Sequence, residues 1–539
     1  MKKTYIYVAA ALFSVAMQAQ NLDPTVEVSR VYEGKLIEVR KPVMDMAVPD
    51  TLYRFDLDFD YSVFDNPYRG SYEFNPYILD MRPEADMQKP TRLYMRAGAG
   101  YTLHPLFDIL WSPDLKGAFG MDLHGSHRSY VGKYRSVGGN EEFDGYDLLS
   151  KAGLDFGYDW KKTGLDFGAS YYGIAVKDLF GSRAYNALDA YVSLKSKMSQ
   201  GSRFGYEVDL AYRYAEESSS LHEHDFSADV SLGPDFGGKG KMSFDLGGAL
   251  NVYSGALSTV LARMYLVPRY ICGKGAFHAD LGFRVSAAMM SGGFGRNQII
   301  YPAIKIHVAA IPDAMRIYLN VGGGEKLNSY ASLIDRNHHL NIGYGISSAS
   351  CLVCPGIERV SAQFGMEGRI SGFFSYNLRG GYVNNAYAPL DAVQSAGDGR
   401  YLPHIGYSSY QKAYAALDWD LYFQSVRFDG TVEYTYAWGM EQPYLIMPAS
   451  FTADAELVYN WRKRIYAGID GIFSSARKSV DNSFEVPFYV DLGVYAEYAF
   501  NGNVSLWLRG GNLLNMEIQR NLLFAERGVN VTAGISLKF

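Results

Sequence analysis

The segment "RGGNLLNMEIQRNLLFAERGVNVTAGISLKF", residues 509–539, closes on a run in which every second residue is apolar. Val529, Val531, Ala533, Ile535, Leu537 and Phe539 alternate with Asn530, Thr532, Gly534, Ser536 and Lys538. Side chains alternate across a strand, so this run has one greasy face and one polar face. Such a strand needs an apolar medium on one side and a partner strand on each edge.

The same period recurs along most of the chain after about Arg92. In "SFTADAELVYNW" (450–461), Phe451, Ala453, Ala455, Leu457, Tyr459 and Trp461 alternate with Thr452, Asp454, Glu456, Val458 and Asn460. In "YAALDWDLYF" (414–423), Leu417, Trp419, Leu421 and Phe423 alternate with Ala416, Asp418, Asp420 and Tyr422. "NVSLWLRG" (503–510) sets Val504, Leu506 and Leu508 against Ser505, Trp507 and Arg509, and "YVDLGVYAEYAF" (489–500) sets Leu492, Val494 and Phe500 against Asp491 and Glu497.

A secreted sandwich or propeller also alternates, but three features favour a transmembrane barrel. The polar face is charged along whole strands. Trp111, Trp461, Phe500 and Phe539 fall at strand ends, as interfacial girdles do. Connections alternate between short and long. The short ones are 113–116, 161–163, 199–202, 237–240, 311–313, 461–464 and 501–503; the long ones lie around 129–145, 325–357, 384–407, 439–449, 476–485 and 513–526. Reading each run with its parity gives about 22 antiparallel strands, from 92–103 to 527–539, with short periplasmic turns and long outer loops. An even count returns both ends of a single chain to one side of the membrane.

The bulk numbers agree. The 539 residues include 44 Tyr, 30 Phe and 56 Gly against 3 Cys, a composition suited to strands and tight turns. A net charge of −6 with both signs dispersed argues against a nucleic-acid partner. Lys2 and Lys3 followed by "TYIYVAAALFSVAMQA" read as an export signal, residues 1–19. Its removal leaves 49 of the 51 basic residues against 57 acidic ones, a net charge of −8. No other run is long and apolar enough for a membrane helix, which excludes a helical membrane protein.

The closing stretch, with Asn512, Leu513, Leu514 and Asn515 before a loop and Gly528 to Phe539 after it, resembles the last hairpin of the TonB-dependent receptor barrel. Weaker resemblance runs through residues 92–539, and is greatest to short, plug-poor Bacteroidota barrels of that type. It implies an outer-membrane location, passage or uptake of a solute, and no enzymatic activity or cofactor. It also implies that the insertion machinery reads the terminal strand through Val531, Ile535, Leu537 and Phe539. The departure lies in residues 20–91. This lead carries Pro42, Pro49, Pro67, Pro76, Pro83 and Pro90, and reads as an extended periplasmic or lumenal segment without a full plug. That leaves drive by TonB in doubt, and an unplugged lumen of this width needs filling by the lead, by inward-folded loops, by side chains or by a partner.

Other constellations are sparse. Cys351 and Cys354 in "CLVC" fit a local disulfide in an oxidising compartment, with free thiols or a metal as alternatives; Cys272 falls in an expected periplasmic turn. His222 and His224 in "LHEHD" share one strand face, and His338 and His339 lie in "NHHL", both read as surface histidines or partial metal sites lacking a third ligand. "DTL" (50–52) matches a short O-glycosylation pattern of exported Bacteroidota proteins. No Gly-x-Ser-x-Gly turn occurs. Asp418, Asp420, Asp454, Glu456, Asp491, Glu497 and Arg509 read as a lumen lining, and no metal or catalytic set is expected. Two functions fit: a passage protein, or a closed scaffold for surface lipoproteins or for an export or assembly machine.

Overall fold

The computed structural model describes residues 92–539 apart from 102–103, 116, 138–141, 197–203, 238–239, 294–298, 313, 341, 343–351, 398–399 and 527. The expected signal and lead (1–91), the 50–52 motif and Cys351 lie outside the described residues.

Twenty-three strands form one sheet. One of them, Phe524–Ala525, pairs only with the top of the strand Phe119–Ser136, and the other 22 make a closed antiparallel wall. Closure is made by the first strand, Leu93–Gly100, and the last, Asn530–Lys538, with Arg96 opposite Ser536 and Gly98 opposite Gly534. Phe539 completes this seam: its N–H donates to the Leu93 carbonyl at 2.8 Å, and its carbonyl accepts from the Leu93 N–H at 2.9 Å. No wall strand is left with an open edge, the condition for a sheet inside lipid.

The two faces differ as the alternation requires. Phe226, Leu250, Met264, Phe283, Ile469, Leu508 and Ile535 stand exposed on the outer face. A continuous apolar surface of this kind is not stable in water, so the medium around it is hydrocarbon. On the inner face, neighbouring strands bring together acids, arginines, serines and tyrosines, such as Arg269, which forms ion pairs with Asp245 and Asp280. In the last strand Val531 and Ile535 are exposed while Asn530, Thr532 and Ser536 are buried.

The outer ends of two hairpins run further than their apolar alternation. Phe119–Ser136 and Glu142–Asp159 stay paired up to Arg135 and Glu142, and Phe374–Gly397 and Arg400–Phe423 stay paired up to Gly397 and Arg400. The stretches expected as loops at 129–145 and 384–407 are therefore largely strand. Above the membrane both faces of a strand meet polar surroundings, so the hydrophobic period fades while the hydrogen-bonded ladder continues. Cys272 belongs to the strand Thr259–Lys274, opposite Ala279, rather than to a turn.

Candidate functional site

The longest connection in the wall leaves at Leu327 and returns at Pro355, which are register partners on neighbouring strands. It carries the helix α1, Tyr330–Arg336, which starts at Ser329, whose side chain accepts the Ser332 N–H at 3.3 Å. Tyr330, Ala331, Leu333 and Ile334 fall on one face of this turn-and-a-half and are buried. Leu340, Leu352 and Val353 join them.

This connection does not lie along the rim. Counting back from the strand it leaves, Met315–Leu327, its partners on one flank stand four to nine strands away in a wall of 22, where eleven is the opposite side. Glu223, five strands away, is fully buried and accepts three bonds: from the Tyr253 hydroxyl at 2.8 Å, the Tyr185 hydroxyl at 2.9 Å and the Tyr330 N–H at 3.1 Å. Glu217, one strand further, accepts the Tyr330 hydroxyl at 2.9 Å and lies 3.7 Å from Arg183. Arg183 donates to the His338 carbonyl at 2.8 Å. The Tyr172 hydroxyl donates to Asp335 at 2.8 Å, and His338 reaches Asp147, nine strands away, at 3.1 Å. On the other flank, Arg336 pairs with Asp391 at 2.9 Å and the Tyr407 hydroxyl donates to the Leu352 carbonyl at 3.1 Å. The segment thus crosses the loop-end mouth of the barrel and is tied to both walls.

Two loop histidines there are shifted in opposite directions. Burial works against charge on His338, but the Asp147 carboxylate outweighs it and holds the ring above the usual imidazole range. His339 is buried more deeply, stacked on Phe524 at 3.8 Å between centroids, and burial holds it below that range despite Asp178 at 3.4 Å. Burial also pushes the Tyr330 hydroxyl well up.

Further loops lean in beside this segment. Leu445 packs on Leu390 and Ala392 of the tall hairpin, while Ile446, Val486, Leu522 and Phe524 form a second apolar cluster. Arg477 shares Asp391 with Arg336 at 3.2 Å, linking this cluster to the crossing segment.

Below the mouth the inner wall holds a recess of about 600 Å³, lined by Asp209, Asp229, Asp245, Arg269, Asp280, Arg284 and Lys305. Arg269 bridges Asp245 and Asp280, and the Tyr265 hydroxyl donates to Asp229 at 2.5 Å. The residues expected as lumen lining are placed as follows. Asp418 pairs with Arg379 and accepts from Thr431 at 2.9 Å and Asn377 at 3.1 Å. Asp420, Asp429, Glu456 and Asp470 are successive register partners on four strands, a like-charge row that Arg427 and Arg509 offset, 3.0 Å from Asp429 and 3.3 Å from Asp470. Asp454 lies opposite Thr431 and Ile472, Glu497 accepts from Ser505, and Asp491 pairs with Arg520 of the last outer connection. These seven residues line different parts of the wall and do not converge on one point.

His222 and His224 share a face, as the spacing requires, but it is the outer one, where Tyr214 and Tyr212 contact them at 3.2 and 2.9 Å. The residue between them, Glu223, is the one the mouth is built around. Cys354 is buried with its Sγ 3.9 Å from the Met290 Sδ. Trp507 lies beneath the seam, with the Arg96 guanidinium 4.1 Å from its ring centroid. The anchors Glu217, Glu223, Tyr185, Tyr253 and Arg183 were not singled out by sequence. The available signal was a capped, amphipathic "SYASLIDR" inside a supposed loop, facing acids and tyrosines at strand tops.

A closed wall of this strand number with an obstructed mouth defines the class: the barrel of the plugged outer-membrane receptors. No protein-family model matches the chain, and no curated protein matches it in sequence. Solved structures do match. The copper transporter OprC superposes with a TM-score of 0.63 at 11% identity, over 83% of this chain and 80% of its own. The FrpB iron transporter from Neisseria meningitidis gives 0.63 at 9% identity, over 84% and 82%. The siderophore receptor PiuA from Acinetobacter baumannii gives 0.61 at 10%, over 83% and 82%. The first two are transporters and the third is a receptor. At such identities the likeness is one of fold, and the chain has the TonB-dependent receptor-like barrel fold.

Proposed function

We propose that this chain is an integral barrel of the cell outer membrane that admits a solute through its lumen. The observation that carries the reading is the charged recess of about 600 Å³ in the inner wall. Charges in a dry interior cost several kcal/mol each, roughly, even when paired. A lining of this kind therefore favours a wet lumen, as passage needs. The apolar outer face and the resemblance to transporters and receptors support the location and the direction of this reading. Outer-membrane lipids and the insertion machinery are the partners it requires, the latter reading Val531, Ile535, Leu537 and Phe539. Export through residues 1–19 and a lead over 20–91 belong to the same proposal, and nothing in it depends on TonB.

The crossed mouth favours a second reading, a closed scaffold for surface lipoproteins or an assembly complex. Purified protein in liposomes separates the two. Entry of small charged or neutral solutes well above protein-free vesicles is expected. Tight vesicles, together with co-purifying lipoproteins, would refute passage.

A further inference from the structure

The segment across the mouth is built as a detachable part. Leu327 and Pro355 pair with each other, so the ladder beneath it is complete without it. The wall groups it docks on are complete as well. Glu223 retains the hydroxyls of Tyr185 and Tyr253, and Glu217 retains Ser219 at 2.5 Å and Arg183 at 3.7 Å. Stripping the last partner from a buried carboxylate is costly, and departure of the segment strips the last partner from neither. Its own docked face is apolar. Tyr330, Leu333, Ile334 and Leu340 are at most 2% exposed and go to water when it leaves, so the seated state dominates at rest. Apolar burial thus supplies most of the hold, while the polar contacts add to it and fix where the segment sits.

We propose that Ser329–Leu340 is the resident stopper of this barrel, seated across its loop-end mouth, and that Glu223 is the latch, acting through the bond from the Tyr330 N–H. The proposal rests on the passage reading and adds to it the part that moves. Opening swings the segment away from the acid–tyrosine wall about its two paired ends, Leu327 and Pro355. The other leaning loops stay in place, because Leu445 packs on Leu390 and Ala392 of the tall hairpin, and Ile446 and Leu522 cluster with its Val393.

The test compares single-channel currents of the full-length protein in planar bilayers with those of two variants. In the first, residues 329–353 are replaced by Asn-Gly, which the paired ends allow. In the second, Glu223→Gln keeps the shape and weakens the acceptor. Heat-modifiable migration in gels certifies that each barrel is folded. The expected result is brief, rare openings in the unaltered protein and a large, steady conductance in the excised variant. Glu223→Gln is expected to raise open occupancy about tenfold, the equivalent of roughly one hydrogen bond. Equal conductance in the unaltered and excised proteins, whether both large or both silent, overturns the stopper. If liposomes still take up solute in that case, passage survives; if they do not, passage falls too. Should Glu223→Gln fail to fold, Tyr330→Pro takes its place: it deletes the N–H that Glu223 and the Tyr253 hydroxyl share, each at 3.1 Å, while Tyr253→Phe, which keeps the Glu223 share, serves as its control. Unchanged open occupancy in the folded latch variant overturns the role of Glu223.

Discussion

Tyr330→Phe isolates one contact of the segment that crosses the mouth. The ring is fully buried, and its hydroxyl donates to the Glu217 carboxylate at 2.9 Å. A bond to a charged acceptor contributes about 1.5–3 kcal/mol. Glu217 keeps Ser219 and Arg183, which places the loss near the lower end, ~1.5–2 kcal/mol. At about 1.4 kcal/mol per decade, that is roughly 10- to 30-fold faster local opening. The amides to watch are those of Leu333 and Asn337, which bond back to Ser329 and Leu333 at 3.2 and 3.1 Å. Hydrogen exchange by mass spectrometry in detergent or nanodiscs reads them directly. Tyr330→Ala removes the ring as well and is expected to cost about 3–5 kcal/mol. Wall amides, such as those of the register partners Glu325 and Ile357, are expected to keep their protection in both variants. If Tyr330→Phe leaves the segment's exchange unchanged, or speeds the wall as much as the segment, the contact does not hold the segment in place.

The loop histidines give a pH dependence whose sign follows from their states. His338 is raised, so its contribution with Asp147 is fully present below pH ~6.5 and is lost as pH climbs through its folded value. His339 is lowered, so its contribution is present above ~6.5 and is lost as pH falls. Exchange protection of α1 in His338→Gln is therefore expected to lose the alkaline-side decline and keep the acid-side one; an unaltered alkaline decline contradicts this. Leu508 stands exposed on the outer face, and Leu508→Arg is expected to cost about 2–4 kcal/mol in denaturant unfolding from lipid vesicles, while Arg509→Leu next to it on the inner face costs much less. A Cβ at Gly534 would collide with the Ala97 carbonyl and the Trp507 ring, so Gly534→Val is expected to destabilise the seam by more than ~4 kcal/mol. Loss of the heat-modifiable band checks it, and a normally folded band would show that the seam has room to yield.

The barrel was legible because lipid imposes a uniform rule on every strand: apolar outward, polar inward, at period two. That rule set the strand number and the pairing of the last strand with the first, and it placed Leu508 and Arg509 on opposite faces. It stops at the membrane boundary. The tall hairpin shows the consequence, since Phe374–Gly397 and Arg400–Phe423 continue as strand where both faces are wet or covered by other loops. The mouth was less legible for a different reason. Its residues take their roles from neighbours up to nine strands away round the wall, as His338 does from Asp147. Alternation identifies Glu223 as an inward acid and cannot say that two tyrosines and a distant backbone N–H converge on it. Its flanking histidines drew notice because imidazoles suggest chemistry, yet on a strand the residue between two outward side chains must point inward. A buried carboxylate there requires donors: the register partner on one adjacent strand is Tyr253, and on the other side the small Ala215 lets Tyr185 reach across from two strands away. The helix-forming run "SYASLIDR" supplies the remaining donor because a chain crossing the mouth must bury its apolar face, and the apolar wall residues that receive it, Ile174, Val176, Leu221 and Leu261, stand beside Glu223. The same physics that makes the wall regular thus makes the stopper irregular.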